Sequence, residues 1–142
     1  MIIVPIKGSK ASIEIEILGY ERPDASDVSD ANWLICNVQL KIIQFQGFYE
    51  AAFTTTDFLN LKAGLEKALS NLCGSASFIS DEEALSFDIK IDSNGTATIA
   101  GTAKVHGLPK LNFSFTFETD QSFLQETQNA LIKVCKSFPV KP

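Results

Sequence analysis

Leu85-Ser86-Phe87-Asp88-Ile89-Lys90-Ile91, Asp92-Ser93-Asn94-Gly95, Ala97-Thr98-Ile99-Ala100-Gly101-Thr102-Ala103-Lys104-Val105 and, beyond Gly107-Leu108-Pro109, Leu111-Asn112-Phe113-Ser114-Phe115-Thr116-Phe117-Glu118 make up the most informative stretch of the chain. Side chains of a strand alternate between its two faces. Leu85, Phe87, Ile89 and Ile91 therefore share a face that excludes Ser86, Asp88 and Lys90, and the next two segments repeat the pattern. Asn94 and Gly95 accept the positive φ of a tight hairpin, so Asp92–Gly95 joins antiparallel neighbours. The stretch reads as a three-strand meander with one buried and one wet face.

Working outward, Ile13, Ile15 and Ile17 alternate with Glu14 and Glu16, and a longer strand is expected from Trp33 to Phe45. Gln46-Gly47 permits a turn or bulge into a strand over Phe48–Thr55. The period then changes. Thr55 or Thr56 can cap a helix, Asp57 suits its positive end, and Phe58, Leu61, Leu65, Leu69 and Leu72 form one apolar stripe that Gly74 terminates. A short strand through Ala76 and Phe78 leads to the polar link Ser80-Asp81-Glu82-Glu83. Asp120 is placed to cap a last helix carrying Leu124, Leu131, Cys135 and Phe138 on one side, and Pro139 ends it. The fold class is thus α+β: an antiparallel sheet of about seven strands in the order β-β-β-α-β-β-β-β-α, with two amphipathic helices packed on it. No linker or repeat divides residues 1–142, which read as a single domain.

Composition narrows the function. An apolar share of 45% and a charged share of 20% are those of a globular protein. Most of the eleven phenylalanines are expected in the core, since Phe has no polar atom to satisfy. Seventeen acidic against twelve basic residues leave a net charge of −5, which repels phosphate backbones and attracts a basic partner. Cys36, Cys73 and Cys135 are odd in number and far apart, as expected of buried free thiols in a reducing compartment. Met1–Lys7 holds an apolar run too short for a signal peptide, and no run approaches a membrane span. The expected location is the cytoplasm, with no membrane or nucleic-acid partner.

No catalytic motif stands out. His106 is the sole histidine, beside a turn glycine, and reads as solvated. There is no nucleophile elbow, P-loop or dinucleotide fingerprint, and no cofactor or metal is expected. Carboxylates cluster twice: Glu21, Asp24, Asp27 and Asp30 before Trp33, and Asp81, Glu82 and Glu83 between strands. Such groups are ordinarily solvated loops, or a partner-facing acidic patch. Asp24, Asp27, Asp30, Asp81, Glu82 and Glu83 are accordingly the candidate partner-binding residues.

Several segments together resemble the WapI-type immunity proteins of bacteria. They are Asp30-Ala31-Asn32-Trp33-Leu34, Gly47-Phe48-Tyr49-Glu50-Ala51, Thr56-Asp57-Phe58, Gly74–Ser80 with Glu82 and Leu85, Asn112-Phe113-Ser114-Phe115 and Asp120-Gln121-Ser122-Phe123-Leu124, spread over roughly residues 11 to 136. These segments read as architectural: strand starts, helix starts and turns. The resemblance implies an antitoxin that binds the C-terminal toxin domain of a contact-dependent or polymorphic toxin. Toxins linked to the family attack RNA, which implies a basic nuclease as the cognate partner. Two other readings stand beside it. One is a small-molecule or carbohydrate-binding module using Trp33, Phe48 and Tyr49, and it requires a deep apolar pocket. The other is a hydrolase whose carboxylates pair only in the fold.

Overall fold

A computed structural model describes residues 1–142, with residues 28 and 29 described by their backbone course alone. The elements are β1 (Ile2–Lys7), β2 (Ala11–Tyr20), α1 (Val28–Ala31), β3 (Trp33–Ile42), β4 (Phe45–Thr54), α2 (Thr55–Asn71), β5 (Gly74–Ile79), β6 (Leu85–Ile91), β7 (Ala97–Val105), β8 (Leu111–Thr119) and α3 (Gln121–Ser137). The strands form two sheets of four, ordered β1-β2-β3-β4 and β5-β6-β7-β8, and every pairing is antiparallel.

The α+β class holds, with one strand more than expected and with two sheets in place of one. Alternation assigns each residue to a face but carries no information about which strands pair. The extra strand is β1, in the N-terminal run that the sequence offered only as a short apolar stretch. Its proline is tolerated because β1 is an edge strand, where a missing N–H leaves no ladder bond broken toward a second neighbour. Between β3 and β4 the chain turns at Ile43-Gln44, with Ile43 at φ 58°, and not at Gln46-Gly47. Gly47 lies inside β4, paired with Leu40.

Helix α2 starts one residue earlier than expected. Thr54 is its N-cap: the Thr54 hydroxyl accepts from the Asp57 N–H (3.2 Å), and Asp57 Oδ2 accepts from the Thr54 N–H (2.9 Å). This reciprocal box satisfies two N–H groups that the first turn would leave unpaired. At the other end Leu72, placed on the apolar stripe by its spacing, is the exposed C-cap at φ 55°. For α3 the expectation stands: Asp120 accepts from the Phe123 N–H at 3.0 Å.

The two sheets meet through phenylalanine. Phe53 of β4, Phe58 of α2 and Phe78 of β5 are fully buried, and Phe87 of β6 nearly so. Ring centroids lie 5.0 Å apart for Phe53–Phe78, 5.2 Å for Phe58–Phe78 and 5.4 Å for Phe78–Phe87. Helix α2 lies close on β5 because Gly64 has no side chain; a Cβ there would come within 3.1 Å of Ala76 Cβ. Helix α3 packs on β1 and α2, burying Leu124, Leu131 and Val134. The Thr127 hydroxyl donates to the Pro5 carbonyl, and the Thr119 hydroxyl at the end of β8 donates to the Lys7 carbonyl. Two phenylalanines depart from the core expectation: Phe45 and Phe48 are about 70% exposed. Among the cysteines, Cys36 is buried, Cys135 is half-buried, and Cys73, expected inside, is exposed just beyond α2.

Candidate partner-binding site

The two acidic loops, some fifty residues apart in sequence, converge. Glu21, Asp30 and Trp33 from the β2–β3 side line a shallow depression of about 290 Å³ together with Glu82 from the β5–β6 loop, Arg22 and Ala52. The long β2–β3 loop is held in place by the C-terminal segment. Asn32 Oδ1 accepts from the Lys141 N–H (2.7 Å), Tyr20 donates to the Pro139 carbonyl (2.9 Å), and the Lys141 ammonium sits 4.0 Å from the centre of the Tyr20 ring. The Lys141 ammonium also donates to the Pro23 carbonyl (3.2 Å).

The β5–β6 loop is pinned as firmly. The Glu83 N–H donates to the Ser80 carbonyl (3.1 Å), and the Ser80 hydroxyl to the Leu85 carbonyl (3.0 Å). The Ala84 carbonyl accepts twice, from the Tyr49 hydroxyl (2.7 Å) and from the Lys104 N–H (3.1 Å). His106 Nε2 lies 2.9 Å from the Glu82 carbonyl. A carbonyl only accepts, so that nitrogen carries the proton. His106 is thus exposed, as expected, yet it clamps the loop.

Of the six candidate acids, Asp30 and Glu82 share the depression. Asp24 and Asp27 are exposed on the same loop as Asp30 but do not line it. Asp81 is exposed, and its charge helps to raise the pKa of Asp57. Glu83, at φ 57°, pairs with Lys104 at 2.9 Å; that hydrogen bond, then the lysine charge, holds its carboxyl below the usual range. Asp30 is partly offset by Arg22 at 3.7 Å. Glu21 and Glu82 complete a concave surface with three carboxylates and one guanidinium. Among the described residues, no group of three or more His, Cys, Asp or Glu side chains is arranged to hold a metal ion.

On the inward face of β4, opposite the face that Ala52 gives to the depression, lies an apolar groove that sequence reasoning missed. Leu40, Gly47 and Tyr49 form one wall and Val105, Leu111 and Phe113 the other, enclosing about 240 Å³. Phe45 extends it, with its ring 6.3 Å from that of Phe113. Phe45, Gly47, Tyr49, Ala51 and Phe53 all fall on the inward face of β4 by the two-residue period. At residue 47 that row has no side chain, so the space between the sheets stays open. A Cβ at Gly47 would meet only Leu40 Cβ, at 4.0 Å. The Tyr49 hydroxyl is desolvated by burial, which pushes its pKa up, and its proton is committed to Ala84. The three aromatics considered as ligand contacts are separated: Tyr49 lines the groove, Trp33 the depression, and Phe48 is exposed on the opposite face of β4 from Tyr49.

A family model described as the Immunity protein WapI-like family matches residues 2–139. The chain belongs to this family. The match takes in β1 and nearly all of the chain, beyond the span of the quoted segments. No curated protein matches the chain. Membership suggests a toxin-immunity role and, with it, a cognate toxin as partner. Segments that read as architectural in the sequence also supply the two surfaces. Asp30, Trp33 and Glu82 line the depression, and Gly47, Tyr49 and Phe113 line the groove. Among the described residues, no helix is long and apolar enough to cross a membrane.

Proposed function

We propose that this protein is an antitoxin acting in the cytoplasm, where it binds the C-terminal toxin domain of a contact-dependent or polymorphic toxin and occludes it without catalysis. Family membership across residues 2–139 carries the immunity role. The convergence of Glu21, Asp30 and Glu82 beside Trp33 supports placing the contact there. A concave acidic surface on a chain of net charge −5 complements a basic domain such as a nuclease, and opposite potentials speed encounter. Asp24, Asp27, Asp81 and Glu83 extend the negative field around the depression on the same two loops.

Co-expression tests the role: cells producing a toxin domain whose gene neighbours this one survive only when this protein is present, and death in its presence refutes the reading. The acidic contact has its own test. Asp30→Lys combined with Glu82→Lys is expected to slow association about tenfold at low ionic strength and to flatten its salt dependence. Unchanged association kinetics would remove the depression from the interface.

A second reading, a small apolar ligand held between the sheets, is favoured by the groove. Its roughly 240 Å³ fall short of the approximate 300–1,000 Å³ range of ligand pockets.

A further inference from the structure

The carboxylates of the depression come from two loops: Glu82 from β5–β6, and Glu21 and Asp30 from the two limbs of β2–β3. The β2–β3 loop has little of its own to fix its shape. Among its described residues only Ala31 and Asn32 are buried, and α1 is four residues long, too short to stand without packing. Within the loop, the Ala25 N–H donates to the Arg22 carbonyl (3.2 Å) and the Ala31 N–H to the Asp27 carbonyl (3.0 Å). A segment so little buried stays ordered only where other contacts offset its lost conformational freedom.

Those contacts come from residues just beyond α3, which touch the loop at its start, middle and end. The Phe138 ring meets the Tyr20 ring edge-on at 5.3 Å, and the Tyr20 hydroxyl donates to the Pro139 carbonyl. The Lys141 ammonium lies over the Tyr20 ring and donates to the Pro23 carbonyl. At the far limb Asn32 takes both backbone groups of Lys141: Oδ1 accepts from the N–H at 2.7 Å and Nδ2 donates to the carbonyl at 3.2 Å. A primary amide carries the donor and acceptor of a peptide group, so this two-point pairing stands in for a rung of a ladder.

We infer that Pro139–Lys141 is a strap that sets the β2–β3 loop, with Asn32 and Lys141 as positioning residues that bring Glu21 and Asp30 to Glu82 beside Trp33. The negative potential of the depression then depends on a segment that lines no part of it. What the depression captures rests on the immunity reading proposed above; the strap itself is tested on the free chain.

Trp33, the sole tryptophan, lines the depression and reports its potential through the ratio of caesium to iodide quenching, normalised to free N-acetyltryptophanamide. Carboxylates held beside the ring gather the cation and exclude the anion, so the parent ratio exceeds one. Lys141→Met removes a positive charge from the strap. Acting by charge alone, it would raise the ratio; acting through position, it frees the loop and lowers the ratio, by about twofold. Lys141→Arg, which keeps a cation over the ring and a donor for Pro23, is expected to hold the parent ratio. A chain ending at Phe138 is expected to fall furthest, with amide exchange across residues 21–31 faster by about tenfold or more and exchange in β6 and β7 unchanged. Against a purified, inactivated toxin domain whose gene neighbours this one, Lys141→Met is expected to slow association about threefold. A ratio that rises or stays constant in Lys141→Met, or unchanged exchange across 21–31 in the shortened chain, overturns the strap and leaves the immunity role intact. A parent chain that fails to bind the toxin domain while the ratio falls as expected refutes the immunity reading and leaves the strap standing.

Discussion

Phe78→Ala removes the side chain that ties the two sheets together. Phe78 is fully buried, and its ring contacts three others, on β4, α2 and β6, at 5.0, 5.2 and 5.4 Å. Truncating a buried phenylalanine costs about 3–5 kcal/mol through lost transfer energy and the cavity left behind. The loss here belongs at the upper end, about 5 kcal/mol, because three ring pairs are lost, each worth roughly 0.5–1.5 kcal/mol beyond its area and already counted in that range. Neighbouring Ala76 and Gly64 hold α2 close on β5, so the cavity has little room to collapse. Against a typical domain stability of about 5–15 kcal/mol, this is a third or more of the total. With a urea slope of about 1–3 kcal/mol per molar, the midpoint should fall by roughly 2 M. Unfolding followed by far-ultraviolet circular dichroism and by the fluorescence of Trp33, the sole tryptophan, reads it out. The double variant with Phe53→Ala should show a coupling of about 1 kcal/mol. A loss under about 2 kcal/mol, or strictly additive variants, would refute the claim that this ring cluster holds β4 against β5.

Two further outcomes follow from the buried groups. Burial, followed by the charge of Asp81, raises the pKa of Asp57 above its ordinary 3.8, even though its bonds to Thr54 pull the other way. The folded state then keeps that proton to higher pH than the unfolded chain, so this group's contribution to stability is present at low pH and declines as pH rises from 3.8 through the folded value. The stability of the parent relative to Asp57→Asn, measured by urea unfolding across that window, should fall with rising pH; a rise would reverse the assignment. Among the thiols, Cys73 is exposed, whereas burial first and Asp57 second push Cys36 up to about 12. Maleimide should modify Cys73 rapidly in the native protein, Cys135 more slowly and Cys36 only on unfolding, as read by peptide mass spectrometry. Rapid native labelling of Cys36 would contradict its placement in the core.

Much of the fold was legible because its signals are local. Alternation located β2, β6, β7 and β8, and the Asp92–Gly95 turn is built as its residues demand: Asp92 Oδ1 accepts from the Asn94 and Thr96 N–H groups, and Gly95 takes φ 83°. Asp120 announced α3 for the same reason. Where local signals were degenerate, the reading slipped. Thr54, Thr55 and Thr56 are equivalent as caps by composition, and only the reach of the Asp57 carboxylate to the Thr54 N–H chooses among them. The apolar start Ile2-Ile3-Val4 has no polar partner residues to reveal a period, so β1 was invisible. Ile43-Gln44 has no turn signature, because Ile rarely accepts a positive φ and is held there by pairing on both sides.

The candidate site divides in the same way. By itself the sequence determined that acids crowd two loops and that one face of each strand is apolar, since charge and periodicity belong to residues and their near neighbours. Only the tertiary structure decided that Asp30 and Glu82 face one depression, that Glu83 is spent on Lys104, and that missing volume at Gly47 leaves a groove between the sheets. Those outcomes depend on how two sheets are set against each other, and contacts between residues remote in sequence have no local pattern to betray them.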